Sequence, residues 1–199
     1  MIVLDIEASG LNPQKHSILS IGAVDFNNPK NQFYEECRLW DGAEVDPNAL
    51  EVCGFTEQQI RDPKKKTVRK VLTEFVKWVK KIPEQTIVGQ NPNTLDIPIT
   101  IASLAREGLD WKPGYRTVDL HSVVYCHMLR RGIIPPTKDK RTDLNLDKIL
   151  EYVGLPTEPR PHHGLTGAKM EAEAFSRVLY GKSLLKEYAK YPIPVYLKW

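Results

Sequence analysis

The 199-residue chain predicts an α/β fold with a mixed sheet of five strands flanked by helices. Two observations carry that expectation. Three short runs of strand character stand together at the start, joined by short loops as in an antiparallel meander. After them the apolar period lengthens from two to about 3.6 residues and helices alternate with strands.

Residues 2–6 (IVLDI) are apolar and β-branched, and Asn12-Pro13 marks the turn that follows. Residues 17–27 and 32–40 are the next two strands, connected through Asn27 to Asn31. A helix is expected over 67–82, where Val68, Val71, Leu72, Phe75, Val79 and Ile82 share one face. Residues 86–89 (TIVG) form a buried strand, 95–107 a helix ended by Gly108, 115–118 the fifth strand and 120–130 another helix. Asp143 is the expected N-cap of a helix over 144–153, which Gly154 ends. The last long helix runs over 167–180 on Ala168, Ala172, Phe175 and Leu179, followed by a short helix. The apolar tail 191–199 contains Pro192 and Pro194 and cannot be a regular helix. It straps onto its own domain or docks on a partner. The expected organisation is a main domain over 1–181 and a C-terminal helix and extended tail over 182–199.

Composition bounds the class. Apolar residues make up 41% and charged residues 27%, and the mean hydropathy is −0.38. No apolar run approaches the roughly 18 residues that span a bilayer. The start, with Asp5 and Glu7 and no basic region, does not resemble a secretory signal. Cys37, Cys53 and Cys126 form no CxxC pair and no complete disulfide framework, which fits a cytoplasmic location. The net charge of +3 conceals a segment, 61–81, with nine Lys and Arg against two acids.

Three places offer chemistry. Asp5 and Glu7 lie two apart on the first strand, so both carboxylates share a face. Such a pair suits a divalent cation with hard oxygen ligands, although a lone DxE is more simply two solvated acids. Gly89-Gln90-Asn91 precedes Asp96, which opens a helix and alone would be an acid favoured by the helix dipole. His162 and His163 stand in a loop before the last long helix, suited to a general base or simply solvated. Asp119 reads as a helix cap with His121 beside it.

Together, Asp5-x-Glu7-x-x-Gly10-Leu11, Gly89-x-Asn91-x4-Asp96 and His162 resemble the DEDDh 3′–5′ exonucleases. This DnaQ-like group includes proofreading subunits, ribonuclease T and oligoribonuclease. The likeness covers roughly residues 1–180 and includes the second strand and the segment Cys53-Gly54-Phe55-Thr56. It implies a ribonuclease-H-like fold and two-metal phosphodiester hydrolysis with Mg²⁺ or Mn²⁺. Asp5, Glu7 and Asp96 would then be metal ligands, His162 the general base and Leu11 the packing surface for the terminal base. Substrates would be single-stranded DNA or RNA 3′ ends, and the assemblies in view are a homodimer or a polymerase-type partner subunit. For substrate contact the candidates are Asn91 together with Lys65, Arg69, Arg130 and Arg131. Lys77, Lys80 and Lys81 read as a solvated helix face.

One position departs from the family. The last aspartate should stand five residues after the histidine, where this chain has Gly167. The flanking Gly164-Leu165 and Ala168 match only when His162 is taken as the histidine. Four readings follow: an impaired nuclease, three carboxylates sufficient for reduced activity, Glu171 substituting from one helical turn away, or misaligned motifs. A non-catalytic nucleic-acid-binding or interaction module that keeps the fold is the alternative function.

Overall fold

The run IVLDIEA extends as β1 (Ile2–Ala8), covered on both faces. Alternate side chains part: Ile2, Leu4 and Ile6 enter one core layer and Val3 the other. Period-two geometry therefore sets Asp5 and Glu7 on the face of Val3. β2 (Ile18–Asp25) pairs antiparallel with β1, and β3 (Gln32–Glu36) antiparallel with β2. On the other side of β1, β4 (Ile87–Gly89) and β5 (Val118–Asp119) add in parallel. The computed structural model, which describes residues 1–198, thus has a mixed sheet in the order β3-β2-β1-β4-β5.

Two short helices, α1 (Pro47–Cys53) and α2 (Glu57–Ile60), precede α3 (Val68–Val79). Thr67 caps α3 by accepting from the Lys70 amide, and Val71, Leu72 and Phe75 face the sheet. Lys77, Lys80 and Lys81 are left exposed. With α4 (Asp96–Arg106), α3 covers the face of Ile2, Leu4 and Ile6. The opposite layer joins Val3 to α5 (Leu120–Arg130), α6 (Leu146–Tyr152) and α7 (Gly164–Tyr180).

Several boundaries differ from expectation, each for a local reason. The strand expected over 32–40 stops at Glu36, after which Cys37 makes an isolated bridge to Lys66. The fifth strand is Val118–Asp119 rather than 115–118. Asp143 does not cap α6; it binds Lys148, and Asn145 accepts from the Lys148 amide as the cap instead. Helix α7 begins at Gly164, three residues before Gly167, so Gly167 lies inside its first turn. The segment 137–142 forms a hairpin of β6 (Thr137–Lys138) and β7 (Arg141–Thr142). Among the described residues after α7, only single 3-10 turns form, at Lys186–Tyr188 and Val195–Leu197.

Gly22 sets the depth at which α7 meets the sheet. A Cβ there would lie 2.0 Å from the Gly164 carbonyl carbon and 2.2 Å from its oxygen. Gly164 in turn approaches the Asp5 carbonyl, at 3.0 Å from its own Cβ position. Since Gly22 pairs with Asp5 in the β1–β2 register, this contact brings the start of α7 onto the acidic face of β1.

The tail folds back onto its own domain through Arg177, whose side chain is 0% exposed. Its Nε donates to Glu173 Oε1 at 2.7 Å. Nη1 donates to the carbonyls of Val153 (3.0 Å) and Gly154 (3.3 Å), and Nη2 to those of Tyr188 (2.9 Å) and Tyr191 (3.2 Å). Glu173 Oε2 accepts from the amides of Leu184 and Leu185. Leu197 is buried in the same layer, and the Tyr196 hydroxyl donates to the Tyr152 carbonyl at 2.6 Å. Trp199, the last residue of the tail, lies outside the described residues.

Candidate active site

A cleft of about 430 Å³ opens at the C-terminal ends of β1 and β4, lined by Asp5, Glu7, Asp96, Glu158, His162 and Glu171 among others. The ends of parallel strands are where α/β sheets leave a crevice between diverging connections. Asp5 and Glu7 arrive from β1. Asp96 opens α4, and its carboxylate accepts from the Ile6 amide at 3.1 Å, which ties the helix start to β1. Glu171 projects from α7 and accepts from the Gln90 amide at 3.3 Å. Asn91, also at the rim, holds a left-handed φ of 52°, a conformation asparagine tolerates, and its amide donates to Asp119 at 2.8 Å.

The loop before α7 brings Glu158, Arg160 and His162 to the same cleft. The Glu158 amide donates to Asp147 at 3.1 Å, and the His162 amide to the Val52 carbonyl of α1 at 2.9 Å. His163 turns the other way, stacking on Tyr34 with ring centroids 4.2 Å apart. The two adjacent histidines are thus divided between the cleft and β3. His162 Nδ1 stands 3.6 Å from Glu158 Oε2, longer than a hydrogen bond.

Crowded, buried carboxylates resist ionisation together. Burial, with Glu171 and Asp96 next in weight, holds the Asp5 carboxyl well above the usual carboxylate range. Burial with Glu158 and Asp96 pushes Glu7 up to about 8. Burial pushes Asp96 up to about 7 against the opposing hydrogen bond from Ile6, and Glu158 to about 7 with help from Asp147. Glu171 is raised by burial and by Asp96. His162 is held below its ordinary value by burial and then by Arg160, so it is neutral near pH 7 and forms no ion pair with Glu158.

These directions give a pH prediction for the metal-free protein. Each raised carboxyl binds its proton more tightly folded than unfolded, so its contribution is complete below about pH 4 and is lost as pH climbs towards 8. Thermal unfolding in EDTA is expected to show a lower Tm at pH 8 than at pH 5, with a cluster contribution on the order of several kcal/mol. An equal or higher Tm at pH 8 would count against this electrostatic description.

The residues suit a divalent cation in donor type, being hard oxygens. Oε1 of Glu158 and Oε2 of Glu171 are buried without a hydrogen-bond partner, as acceptors awaiting a cation would be. Among the described residues no three acidic, histidine or cysteine side chains already stand in a ligating arrangement.

The structure brings Asp5, Glu7, Asp96, His162, Asn91 and Glu171 to one cleft, while the proposed basic contacts lie elsewhere. Lys65 is spent on Glu36 at 2.5 Å and on the Phe55 ring, and Arg69 donates to the Glu107 carbonyl. Arg130 and Arg131 border a separate apolar hollow with Cys126, Val178 and Leu179. Their side chains have nearer partners or surroundings than the cleft. Leu11 is 73% exposed and lines an adjoining hollow that shares Ile6, Glu7, Val52 and Leu95 with the cleft. Sequence reasoning missed Glu158 and Arg160, which sit in an irregular loop with no periodic signal.

A family model described as exonuclease, RNase_T, matches residues 2–175. The chain is 26% identical over 176 residues to the PolC-type DNA polymerase III of Thermotoga maritima. That match covers 88% of this chain and 12% of the polymerase, so the chain spans about an eighth of its relative's length. Among solved structures, E. coli exonuclease I in complex with a dA16 oligonucleotide superposes with TM-score 0.71 at 18% identity, covering 88% of this chain and 40% of that one. Cell-death related nuclease 4 superposes with TM-score 0.67 at 18% identity, covering 89% and 62% respectively.

Proposed function

This chain belongs to the RNase_T exonuclease family, and from that premise we propose that it removes nucleotides from single-stranded DNA or RNA 3′ ends. The chain is a hydrolytic nuclease by family, and the family generally uses divalent metal ions. The observation that carries the reading is the convergence of Asp5, Glu7, Asp96 and His162 on one cleft from three separate parts of the fold.

Two divalent ions, Mg²⁺ or Mn²⁺, would supply an activated water and charge stabilisation at the scissile phosphate when bound. Asp5 and Glu7, fixed on one face of β1, and Asp96, held by the Ile6 amide, would hold them. His162 is neutral near pH 7, and with Nδ1 towards Glu158 its Nε2 is the nitrogen left to take a proton from water. Leu11 offers an apolar platform for the terminal base beside the cleft. Arg160, the cleft's basic side chain, and Asn91 at the rim are the contacts we assign to the strand. Lys65, Arg69, Arg130 and Arg131 are assigned no part at the scissile bond. Free-standing action and service as a polymerase-type partner subunit are both compatible with this chemistry, and the three free thiols suit a cytoplasmic setting.

At Gly167 helix α7 itself offers no ligand, so turnover below that of a relative with an aspartate at that helix position is part of the proposal. The test is degradation of a 5′-labelled single strand with Mg²⁺ or Mn²⁺. A stepwise ladder from the 3′ end, abolished by Asp5→Ala, is the expected result. No degradation with either ion would favour the non-catalytic binding module.

A further inference from the structure

We propose that Glu158 supplies the fourth acidic ligand, reaching from the loop before α7 into the space that a side chain at Gly167 would fill. The inference deepens the proposed function and rests on it. A Cβ built on Gly167 would meet Asp5 Oδ2 at 1.9 Å, Asp5 Cγ at 3.0 Å and Glu158 Oε1 at 3.1 Å. The volume left by the glycine is thus occupied by two carboxylates, one of them from outside both β1 and α7. The Glu158 side chain is only 6% exposed, yet its Oε1 has no hydrogen-bond partner. A buried, orphaned carboxylate oxygen costs free energy unless a cation or donor completes it. The backbone is held for this reach, since the Glu158 amide is anchored on Asp147 at 3.1 Å.

Glu171 fits the gap less well. Its Oε1 is engaged by the Gln90 amide at 3.3 Å. Its Oε2 lies 3.4 Å from the Cβ position of Gly89, at the end of β4. It therefore extends towards β4, whereas Glu158 borders both the gap and His162. The lost helical acid is replaced from a different chain segment, nine residues earlier.

The experiment is Mn²⁺ affinity of the full chain by calorimetry, free of any activity readout, with thermal melts to check folding. Glu158→Gln is expected to weaken Mn²⁺ binding tenfold or more, and Glu171→Gln less than threefold. Glu158→Asp keeps the charge but shortens the side chain, and it is expected to weaken binding as well. That variant separates lost reach from lost fold. If Glu158→Gln bound Mn²⁺ like the unaltered chain, or Glu171→Gln lost as much, Glu158 would not be the ligand. Asp5→Asn tells the two levels apart. If Asp5→Asn leaves Mn²⁺ affinity unchanged, the functional reading itself fails; if only the Glu158 variants are silent, that reading stands and this inference falls.

Discussion

Arg177→Ala is expected to lower stability by about 3–5 kcal/mol, the range found when one partner of a buried ion pair is removed. In a chain of this size that corresponds to a drop in Tm of roughly 6–20 °C. The cause is twofold. Glu173, fully buried, would keep only the Leu184 and Leu185 amides to offset its charge. The carbonyls of Val153, Gly154, Tyr188 and Tyr191 would lose their shared donor. Pairing Arg177→Met with Glu173→Gln should recover part of the loss, because it removes the stranded charge. Urea unfolding of the single and double variants reads both effects. A loss below about 1 kcal/mol for Arg177→Ala would mean that the tail is not held as described.

The second large effect is expected from Gly22→Ala, a change of one methyl group. Here the backbone conformation is not the obstacle; the space is. With Gly164 atoms 2.0 and 2.2 Å from the new Cβ, the first turn of α7 must retreat by more than an ångström to reach ordinary contact. Overpacking of this kind costs about 1–3 kcal/mol. The larger consequence is geometric, because α7 carries position 167 and Glu171 while β1 carries Asp5 and Glu7. Displacements near 1 Å between catalytic groups cost about 100-fold in rate. Gly22→Ala is therefore expected to retain a folded far-UV spectrum yet lose about two orders of magnitude in kcat on a labelled oligonucleotide. Unchanged kcat would show that the α7–β2 contact does not govern the site.

The sheet was legible because its signals are long and repeated. β1 and β2 are predominantly apolar strands of seven and eight residues, and α3 carries its apolar face through three turns. Short elements escaped. α2 is four residues long, although its Thr56–Gln59 capping box was a readable start signal. The β6–β7 hairpin needs positive φ at Asp139 (51°) and Lys140 (64°), and lysine gives no hint of that conformation. The residues that line the cleft were legible in part from spacing, Asp5 and Glu7 by strand period and Asp96 by its helix start, whereas their grouping with His162 came from the resemblance to the family motif. Basic residues were not legible in the same way, because a charge count is blind to partners such as Glu36 for Lys65. Glu158 was invisible for the complementary reason. It reaches Gly167 through a loop of irregular backbone, and no period connects the two.

Helix α1 gives the histidine an unexpected neighbour. Its Val52 carbonyl holds the His162 amide, Gly54 at its end packs on Pro161, and Val52 also walls the hollow beneath Leu11. Under the proposed function, a strand end seated in that hollow would rest on the same short helix that anchors the His162 backbone. Seating of the terminal nucleotide and placement of the proposed base would then depend on one shared support.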